Sequence, residues 1–344
     1  MTAGGSGLAK DLEPIRLAAR TSPLARAQVD LVGAALLAQG QPWTFVPVTT
    51  VGDVDQRELT QIGGTGVFVT GVRRAVVEGR ADVAVHSLKD LPTAPEPALA
   101  LAAVPERADV ADVLVGRTLD QLRDGDRIGT GSPRRADQLR DWAARHGLEI
   151  SVLPIRGNVN TRLQQVRDGR MHAVMLAAAG LARLGHLDPR ALEPDGTLRV
   201  RSGADSDEAG LVAERLGFDV VLPAPGQGAL GLECRANADS RIYAVLTRLD
   251  HGVTRAEVLA ERTFLRVLEA GCTAPVGARA TIDSSHPDGF DLTVTAVVGT
   301  TWTGSDPHRR SSAAPLLRLS GRGSSDQPEE VGAQLARTAL TDLS

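Results

Sequence analysis

The sequence predicts an α/β fold with mixed, mainly parallel sheets, followed by a small C-terminal α+β domain. Two observations predict it. Short apolar runs typical of strands alternate with helical periodicity up to about residue 178, and after residue 271 the pattern changes to alternating strands closed by one helix. Alternation of strand and helix is typical of parallel sheets, which bind ligands at the carboxyl ends of their strands.

The predicted elements follow one another in a regular order. Strands are predicted at 15–19, 43–51, 81–87, 148–155 and 173–178, with helices at 24–39, 67–78 and 160–168. A further helix begins at Thr254 and ends at Gly271. The last part of the chain carries strands at 278–282, 292–298 and 316–319 and a closing helix near 329–342. With 344 residues, 42% of them hydrophobic, the chain can form two or three domain cores.

Proline-rich and charged stretches indicate where the chain crosses between units. The break at 91–97 and the charged stretch at 105–112 indicate a crossing into a second unit, and the Pro- and Gly-rich segment 221–231 indicates a crossing back. We predict exposed loops or insertions in the segments rich in Asp, Gly, Ser and Pro, at 187–220, 284–289 and 302–314.

Composition argues against several classes of protein. A net charge of −4 with one Tyr and five Phe argues against a general nucleic-acid surface, which needs a basic excess and stacking aromatics. Two cysteines cannot form a disulfide framework or a four-cysteine zinc site, and no metal is expected. No apolar run reaches the roughly 18 residues of a membrane span, and residues 1–14 are a predicted disordered tail without the layout of a secretory signal. We therefore expect a cytoplasmic protein that binds neither membrane nor nucleic acid.

Three helix starts share an unusual local design. In two of them, Ser22-Pro23 and Ser132-Pro133, a capping Ser precedes a Pro at the first helical position, where the missing N–H costs nothing. The third lies in the motif RGNVNTRL at 156–163. Arginines stand beside or within the last two starts, at Arg134, Arg135, Arg156 and Arg162. Cations in a first helical turn oppose the macrodipole, so they destabilise the fold unless a negative group lies among them.

Either an anionic ligand or acidic residues on neighbouring loops could supply that negative charge. Free N–H groups at helix starts, together with guanidinium groups, suit carboxylates and phosphates, and three such starts suit a ligand with many acidic groups. For any single Arg, pairing with a nearby Asp or Glu explains the sequence at least as well, because surface ion pairs are common. For the three helix starts together we favour the ligand.

The motif HSLKDLP at 86–92 follows a buried strand. It places a hydroxyl, an ammonium and a carboxylate, on Ser87, Lys89 and Asp90, at the strand's carboxyl end. Only two of the 38 basic residues are lysines, and GC-rich codon usage, which explains the surface arginines, leaves Lys89 unexplained. In a site, Lys89 would hold an anion and Asp90 would stabilise a developing cation or move protons; alternatively the two are a surface ion pair. His86 fits a structural histidine better than a base.

The two cysteines differ in context. Cys234 lies in an apolar run and fits a small core residue. Cys272 follows Gly271 at a helix end and precedes a loop that can expose its thiol, although a lone exposed cysteine is more often inert than catalytic.

Taken together, these segments resemble the porphobilinogen deaminase family, also called hydroxymethylbilane synthases. The matching motifs occur in family order between about residues 15 and 282, and HSLKDLP and RGNVNTRL are highly specific. The others are RTSPLA at 20–25, TVGD at 50–53, the pair Arg134-Arg135, AGL at 179–181, PGQGA at 225–229, and AER at 260–262 leading to Gly271-Cys272.

The resemblance implies three domains, the first two similar to the lobes of periplasmic binding proteins. They are expected at 15–108 with 224–248, at 109–223 with an insertion near 187–220, and at 249–344. It also implies a monomeric transferase of haem biosynthesis that condenses four porphobilinogen molecules, with loss of ammonia, into the linear tetrapyrrole hydroxymethylbilane. The family's product grows on a dipyrromethane cofactor, for which Cys272 is the matching attachment residue. Porphobilinogen carries acetate and propionate groups, so the growing chain is a polyanion that would explain the arginines.

The resemblance also implies roles for single residues. Asp90 matches the catalytic carboxylate, which would stabilise the cationic azafulvene formed as ammonia leaves. The cofactor and growing chain match Ser87, Lys89, Thr130, Ser132, Arg134, Arg135 and Arg162. The incoming substrate matches Arg20, Ser22, Arg156 and Arg162.

Three departures from the family pattern bear on these roles. The family's loop usually reads like GGKGLFVKELE, and Thr65 and Thr70 replace its two lysines here. Pro133 should stiffen the turn that it begins. The stretch from Gly185 to Pro223 is longer than usual. A substrate-binding Arg expected there has three candidates, Arg190, Arg199 and Arg201.

Two other functions fit parts of the pattern. A non-catalytic two-lobed anion receptor would need neither Asp90 nor Cys272, and a secreted one would carry a signal peptide. The second alternative is an inactive member of the family that has lost the substrate loop. The intact mass of the freshly purified protein is the observation that separates them best.

Overall fold

The structure, a computed structural model, describes residues 12–49, 69–188, 197–201, 210–270, 274–283, 291–299 and 316–343. The described residues form two compact units connected by three chain crossings. The first unit contains the residues up to Glu106 and Leu230–His251, and the second contains Arg107–Ala229 and the residues from Gly252 onward. The division into three domains stays a prediction.

The first unit is built on one five-stranded sheet. Its strands are β1 (Ile15–Arg20), β2 (Trp43–Val48), β3 (Val83–Ser87), β4 (Leu99–Ala103) and β11 (Leu230–Arg235), in the spatial order β2-β1-β3-β11-β4. Its helices are α1 (Pro23–Ala38), α2 (Thr70–Val77) and α6 (Ser240–Thr247). β1 is parallel to β2 and β3, whereas β11 is antiparallel to β3 and β4.

Both faces of the central strands in this sheet are apolar, because helices cover both. Successive side chains of a strand point to opposite faces. Leu17 of β1 therefore packs in one core with Val32 of α1, and its neighbour Ala18 packs in another core with Val72 of α2. This packing on both faces explains why β1 and β3 read as continuous apolar runs in the sequence.

The second unit carries a six-stranded sheet with the spatial order β7-β6-β8-β5-β10-β9. The strands are β5 (Asp112–Val115), β6 (Arg127–Gly129), β7 (Ser151–Leu153), β8 (Ala173–Ala177), β9 (Leu198–Val200) and β10 (Leu211–Arg215). The helices are α3 (Pro133–Arg145), α4 (Val159–Arg167) and α5 (Ala178–Arg183). β6 is parallel to β7 and β8, and the remaining pairs are antiparallel.

A three-stranded antiparallel sheet forms the C-terminal part of the second unit. Its strands are β12 (Val276–Ile282), β13 (Leu292–Gly299) and β14 (Leu316–Gly323), and its helices are α7 (Gly252–Val267) and α8 (Pro328–Leu343). The fully buried Phe264 of α7 packs in a core with residues of all three strands and α8. Gly332 lets the two helices approach, since a Cβ there would lie 2.2 Å from the backbone oxygen of Ala260.

The α/β class, the mixed sheets and the small C-terminal unit of sheet and helix are confirmed. The described strand pairs in the two mixed sheets divide into four parallel and five antiparallel, so the parallel share is smaller than predicted. Four of the five antiparallel pairs involve β5 or β11. Both strands follow a chain crossing from the other unit. A strand that enters a sheet in this way is not connected to its neighbours by a strand–helix–strand unit, so it need not be parallel to them.

The interpretation of 187–220 as loop is wrong in part, because β9 and β10 form within it. Leu198 and Val200 of β9 are buried and the intervening Arg199 is exposed, which is strand alternation. A strand of three residues offers too few alternations to be recognised. The short strands β4, β5 and β6 are absent from the predicted elements for a similar reason. Within the described part of the chain, no helix combines the length and the apolar character needed to cross a membrane.

Candidate active site

The structure brings the predicted residues of the first unit to one edge of its sheet. β1 and β3 are adjacent and parallel, so their carboxyl ends lie at the same edge. Arg20 ends β1 and Ser22 caps the following helix, while Ser87 ends β3. Lys89 and Asp90 follow in a short 3₁₀ turn, Leu88–Asp90.

The start of α1 has the predicted design. Ser22 is the N-cap, its Oγ accepts a hydrogen bond from the Ala25 backbone N–H at 3.3 Å, and Pro23 occupies the first turn. The first turn contains no acidic residue. Arg20 and Ser22 are both half-buried.

The 3₁₀ turn after β3 holds a buried anchor and an exposed carboxylate. Leu88 is fully buried, whereas Lys89 is half-buried and Asp90 is exposed. No described residue donates a hydrogen bond to the Asp90 carboxylate or forms an ion pair with it. A carboxylate placed on a short turn of this kind is available to a bound cation or to a proton donor.

In the second unit, the predicted residues follow the parallel strands β6 and β7. Thr130 and Ser132 come after β6, and Arg156 and Arg162 come after β7. The Thr130 Oγ1 accepts a hydrogen bond from the Ser132 N–H at 3.2 Å. The two loops approach closely at Gly131, where a Cβ would lie 2.8 Å from the backbone oxygen of Ile155. Any larger residue at 131 would push these two loops apart.

Local hydrogen bonds determine the start of α4. Asn158 is its N-cap, and its Oδ1 accepts from the Thr161 N–H at 2.9 Å. Gly157 adopts a φ of +97°, which disfavours other residues. Its carbonyl oxygen accepts a hydrogen bond from Arg162 Nε at 2.9 Å. The GN turn of the RGNVNTRL motif therefore orients the Arg162 guanidinium.

A histidine outside the motif also contacts this helix. His186 is buried, and its Nε2 lies 2.6 Å from Oδ1 of Asn160. Its Nδ1 lies 2.9 Å from the carbonyl oxygen of Arg201, which can only accept, so Nδ1 carries a proton. Burial lowers the pKa of His186, which favours the neutral ring. In that state Nε2 must accept, and the Asn160 amide nitrogen would be its donor.

Arg134 and Arg135 share one acidic partner, Asp112, so a ligand is not needed as their only source of negative charge. Arg134 lies 2.7 Å from one Asp112 oxygen and Arg135 lies 2.6 Å from the other, and all three residues are buried. Burial raises the pKa of Asp112, but the two guanidinium charges outweigh it and hold the pKa well below its ordinary value. Contact of these arginines with the cofactor stays a prediction.

Arg162 differs from that pair because it has no acidic partner among the described residues. Burial, and secondarily the charge of Arg135, lower the pKa of Arg162 to about 10. Its Nε bonds to a neutral carbonyl group, which offsets only part of the desolvation. The alternative of a neighbouring Asp or Glu is therefore excluded for Arg162 within the described part of the chain.

Arg183 is a residue of the same kind that the sequence analysis did not identify. Burial lowers its pKa to about 10, and within the described chain no acidic residue pairs with it. Its Nη2 donates to the Gly228 carbonyl at 2.6 Å, while its buried Nε has no hydrogen-bond partner. Arg183 ends α5, where a cation is ordinary because it complements the helix dipole, so its position alone gave no signal. Its place two residues after the matched AGL at 179–181 could have identified it.

The remaining predicted residues either lie outside the described part of the chain or lie elsewhere in the fold. Cys272, Thr65, Asp53 and Arg190 lie outside the described residues, and Thr70 begins α2. Arg199 and Arg201 are exposed at β9. Cys234 is fully buried on β11, and burial raises the pKa of its thiol, so its interpretation as a core residue is confirmed.

Comparison with protein families gives two matches that together span most of the chain. Residues 15–244 match the family model described as "Porphobilinogen deaminase, dipyromethane cofactor binding domain". Residues 255–341 match the model described as "Porphobilinogen deaminase, C-terminal domain".

Curated relatives agree with the family models. The chain is 46% identical to "Porphobilinogen deaminase 1" of Streptomyces coelicolor over 334 residues, covering 95% of this chain and 94% of that protein. It is 43% identical to "Porphobilinogen deaminase" of Mycobacterium avium over 329 residues, covering 94% and 92%. Among solved structures, the extracellular-binding protein ytmK of Bacillus subtilis matches with a TM-score of 0.37 and 11% identity, covering 70% of this chain and 90% of that one.

Proposed function

The chain belongs to the porphobilinogen deaminase family and contains its cofactor-binding domain, and from that premise we propose that it carries out the family's full reaction. In that reaction four porphobilinogen molecules condense head to tail into hydroxymethylbilane, with release of ammonia, on a covalently bound dipyrromethane. The enzyme is then a transferase of haem biosynthesis. We further propose that it acts in the cytoplasm as a monomer of three domains.

The observation that carries this proposal is the pair of half-buried guanidinium groups on Arg162 and Arg183. A partly desolvated cation without an acidic partner among the described residues is unfavourable, and this desolvation is the main cause of the lowered pKa of each group. The helices that carry them follow β7 and β8, which lie on either side of β6 in one sheet and are both parallel to it. An acidic ligand at this edge would supply the missing negative charge, and guanidinium groups suit carboxylates in particular.

These residues fit the dipyrromethane cofactor, whose pyrrole rings carry carboxylates. When bound, the cofactor supplies the pyrrole position to which new units are added. Arg162, Arg183 and the hydroxyls of Thr130 and Ser132 would hold its carboxylates in the second unit. Arg134 and Arg135 already share the buried Asp112 carboxylate, which balances one of their two positive charges, so they would contribute less.

The residues of the first unit would perform the chemistry. Asp90 is exposed on a turn whose position Leu88 fixes, so its carboxylate can stabilise the positive charge that develops on the substrate as ammonia leaves. Lys89 and Ser87 would hold carboxylates of the growing chain. Arg20 and Ser22 would bind the incoming substrate, a role that the family resemblance also implies for Arg156.

Intact mass measurement tests the proposal directly. We expect freshly purified protein to carry an adduct of two condensed pyrrole units, and the Cys272→Ser variant to carry none, because a hydroxyl does not replace the thiol in the thioether. Peptide mapping should locate the adduct at Cys272, and porphobilinogen consumption should be measured on the same sample. An unmodified mass in an active sample contradicts the cofactor assignment, and an unmodified mass without turnover favours the anion receptor or the inactive relative.

Substitution of Arg183 tests the observation that carries the proposal. In the Cys272→Ser background we expect Arg183→Gln to melt at the same temperature or higher, because a partly buried charge without an acidic partner among the described residues is removed. In the chain with Cys272 we expect a lower melting temperature and less adduct, because ligand binding stabilises the native state. Arg145→Gln, at an exposed ion pair on α3, is the matched control and should change neither. Equal destabilisation in both backgrounds would mean that Arg183 is structural.

A further inference from the structure

Three ionisable side chains with no assigned role in the site meet inside the first unit. Arg73 of α2 donates two parallel hydrogen bonds to the Glu233 carboxylate of β11, from Nε at 2.8 Å and from Nη2 at 2.7 Å. On the same carboxylate, Oε2 lies 3.2 Å from Nε2 of His86, the penultimate residue of β3. We call these three residues the Arg73 network.

The Arg73 network is deeply buried. The side chains of His86 and Glu233 are each 5% exposed and that of Arg73 is 14% exposed. Burial raises the pKa of Glu233, but His86 and Arg73 outweigh it and lower the pKa to about 2, so the carboxylate is charged. A buried ion pair usually adds little stability compared with apolar residues of similar volume. Stability therefore does not explain this network, and its position within the fold has to be considered.

The network lies where β3 lacks support from β1. The described pairing of β1 with β3 ends at Ala18 and Ala84, so beyond Ala84 the backbone of β3 pairs only with β11. His86 projects from that end and contacts Glu233 of the same β11. The next residues along the chain are Ser87, Lys89 and Asp90.

A second contact with β11 supports the same segment. Leu88, in the turn that carries Lys89 and Asp90, lies over Gly231, where a Cβ would come within 2.9 Å of its Cδ1. Gly231 and Glu233 are two residues apart on β11, so they lie on one face of the sheet. β11 thus contacts the strand end through Glu233 and the turn through Gly231.

We propose that Arg73, Glu233 and His86 are positioning residues that fix the end of β3, and with it the Asp90 carboxylate, relative to the sheet. This inference rests on the proposed function, in which Asp90 acts on the substrate. Arg73 fixes the rotamer of Glu233 through two hydrogen bonds. The Glu233 carboxylate then contacts the His86 ring at 3.2 Å, a contact without aligned hydrogen-bond geometry that leaves Glu233 as the polar neighbour of the buried Nε2. None of the three needs to touch the substrate.

The first experiment compares Arg73→Gln with Arg74→Gln, whose side chain is exposed and 4.0 Å from Glu78. For Arg73→Gln we expect kcat to fall by about 10- to 100-fold, because small displacements of a catalytic group are costly, while KM and the adduct mass change little. Arg74→Gln should match the wild type. A KM increase at unchanged kcat, or equal behaviour of the two variants, contradicts the proposal.

The second experiment separates positioning from folding. The double variant Arg73→Met with Glu233→Met replaces the ion pair with apolar side chains of similar volume, so we expect it to recover the melting temperature that Arg73→Gln loses, roughly 5–10 °C. Its kcat should stay low, because His86 has lost its partner. Recovery of both kcat and melting temperature would mean that the network is only structural. If Arg73→Gln does not fold, the double variant and Arg73→Lys replace it in the comparison of kcat with melting temperature. Arg73→Lys keeps the charge but not the two parallel hydrogen bonds, so its kcat should also be low.

Hydrogen–deuterium exchange keeps this inference distinguishable from the proposed function. Peptides covering residues 86–91 should exchange faster in Arg73→Gln than in the wild type and in Arg74→Gln, whether or not the protein consumes porphobilinogen. Unchanged exchange there overturns the positioning role. An inactive wild type without adduct instead overturns the proposed function.

Discussion

Asp90→Asn is expected to lower the turnover of porphobilinogen by about 10²- to 10³-fold while leaving the fold intact. The amide keeps the shape and volume of the side chain but removes the negative charge that is needed mainly in the transition state, so the effect should fall on kcat. Folding should be unaffected, because Asp90 is exposed and no described residue depends on its carboxylate. Steady-state kinetics and thermal melting of the same preparation measure both effects.

Asp90→Glu separates the effect of losing the negative charge from the effect of moving it. It keeps the carboxylate but moves it by one methylene, and we expect some residual activity above that of the Asn variant. The adduct mass must be measured on both samples, since a variant without primer would be inactive for another reason. If Asp90→Asn consumes porphobilinogen at nearly the wild-type rate, Asp90 is not the catalytic carboxylate, and Asp53 would be the next residue to test.

The largest expected effect on folding belongs to Asp112→Asn, which should lower the free energy of unfolding by about 3–5 kcal/mol. The substitution leaves two buried guanidinium groups, Arg134 and Arg135, without a counter-charge. Chemical denaturation of the variant and of Asp30→Asn compares this with an exposed pair, that of Arg26 and Asp30, where we expect a change within about 1 kcal/mol. An Asp112→Asn variant as stable as Asp30→Asn would contradict the structural role of the buried group.

The same carboxylate gives a pH dependence of definite sign. The folded-state pKa of Asp112 lies below its ordinary value of 3.8, so its contribution to stability is present above that value and decreases as the pH falls through the folded-state pKa. Glu233 acts in the same direction between its ordinary 4.5 and about 2. Wild-type stability should therefore fall steeply below about pH 4, and part of that dependence should be missing in Asp112→Asn.

Sequence patterns predicted much of the fold because its strongest elements are long or have clear ends. α1 begins at the predicted Ser-Pro cap, and β13 and α8 match their apolar periodicity within about two residues. The strands of three to five residues near the chain crossings were missed, since periodicity needs more residues than they contain. The site was predictable where its residues directly follow predicted strands, as at the ends of β1 and β3.

Partners distant in sequence were not predictable. The helix-dipole argument correctly required a negative group near Arg134 and Arg135, but Asp112 lies 22 residues upstream of Arg134, and only the pairing of β5 beside β8 brings it there. The argument from three helix starts treated these arginines and Arg162 alike. The structure separates them by whether a carboxylate is buried beside each guanidinium.

The location of β11 between β3 and β4 has a consequence for how the protein folds during synthesis. Residues 104–229 separate β4 from β11 in the chain, yet β4 pairs only with β11 in the described sheet. The sheet of the first unit therefore cannot be completed until residues 104–229 and β11 have been synthesised. A ribosome that has made β1 to β4 has made an incomplete sheet whose β3 and β4 do not pair with each other. The intervening segment, which carries all six strands of the second sheet, can close first. Such long-range pairing slows folding and leaves strand edges exposed. The N-terminal unit, although translated first, would be the later of the two to reach its native sheet.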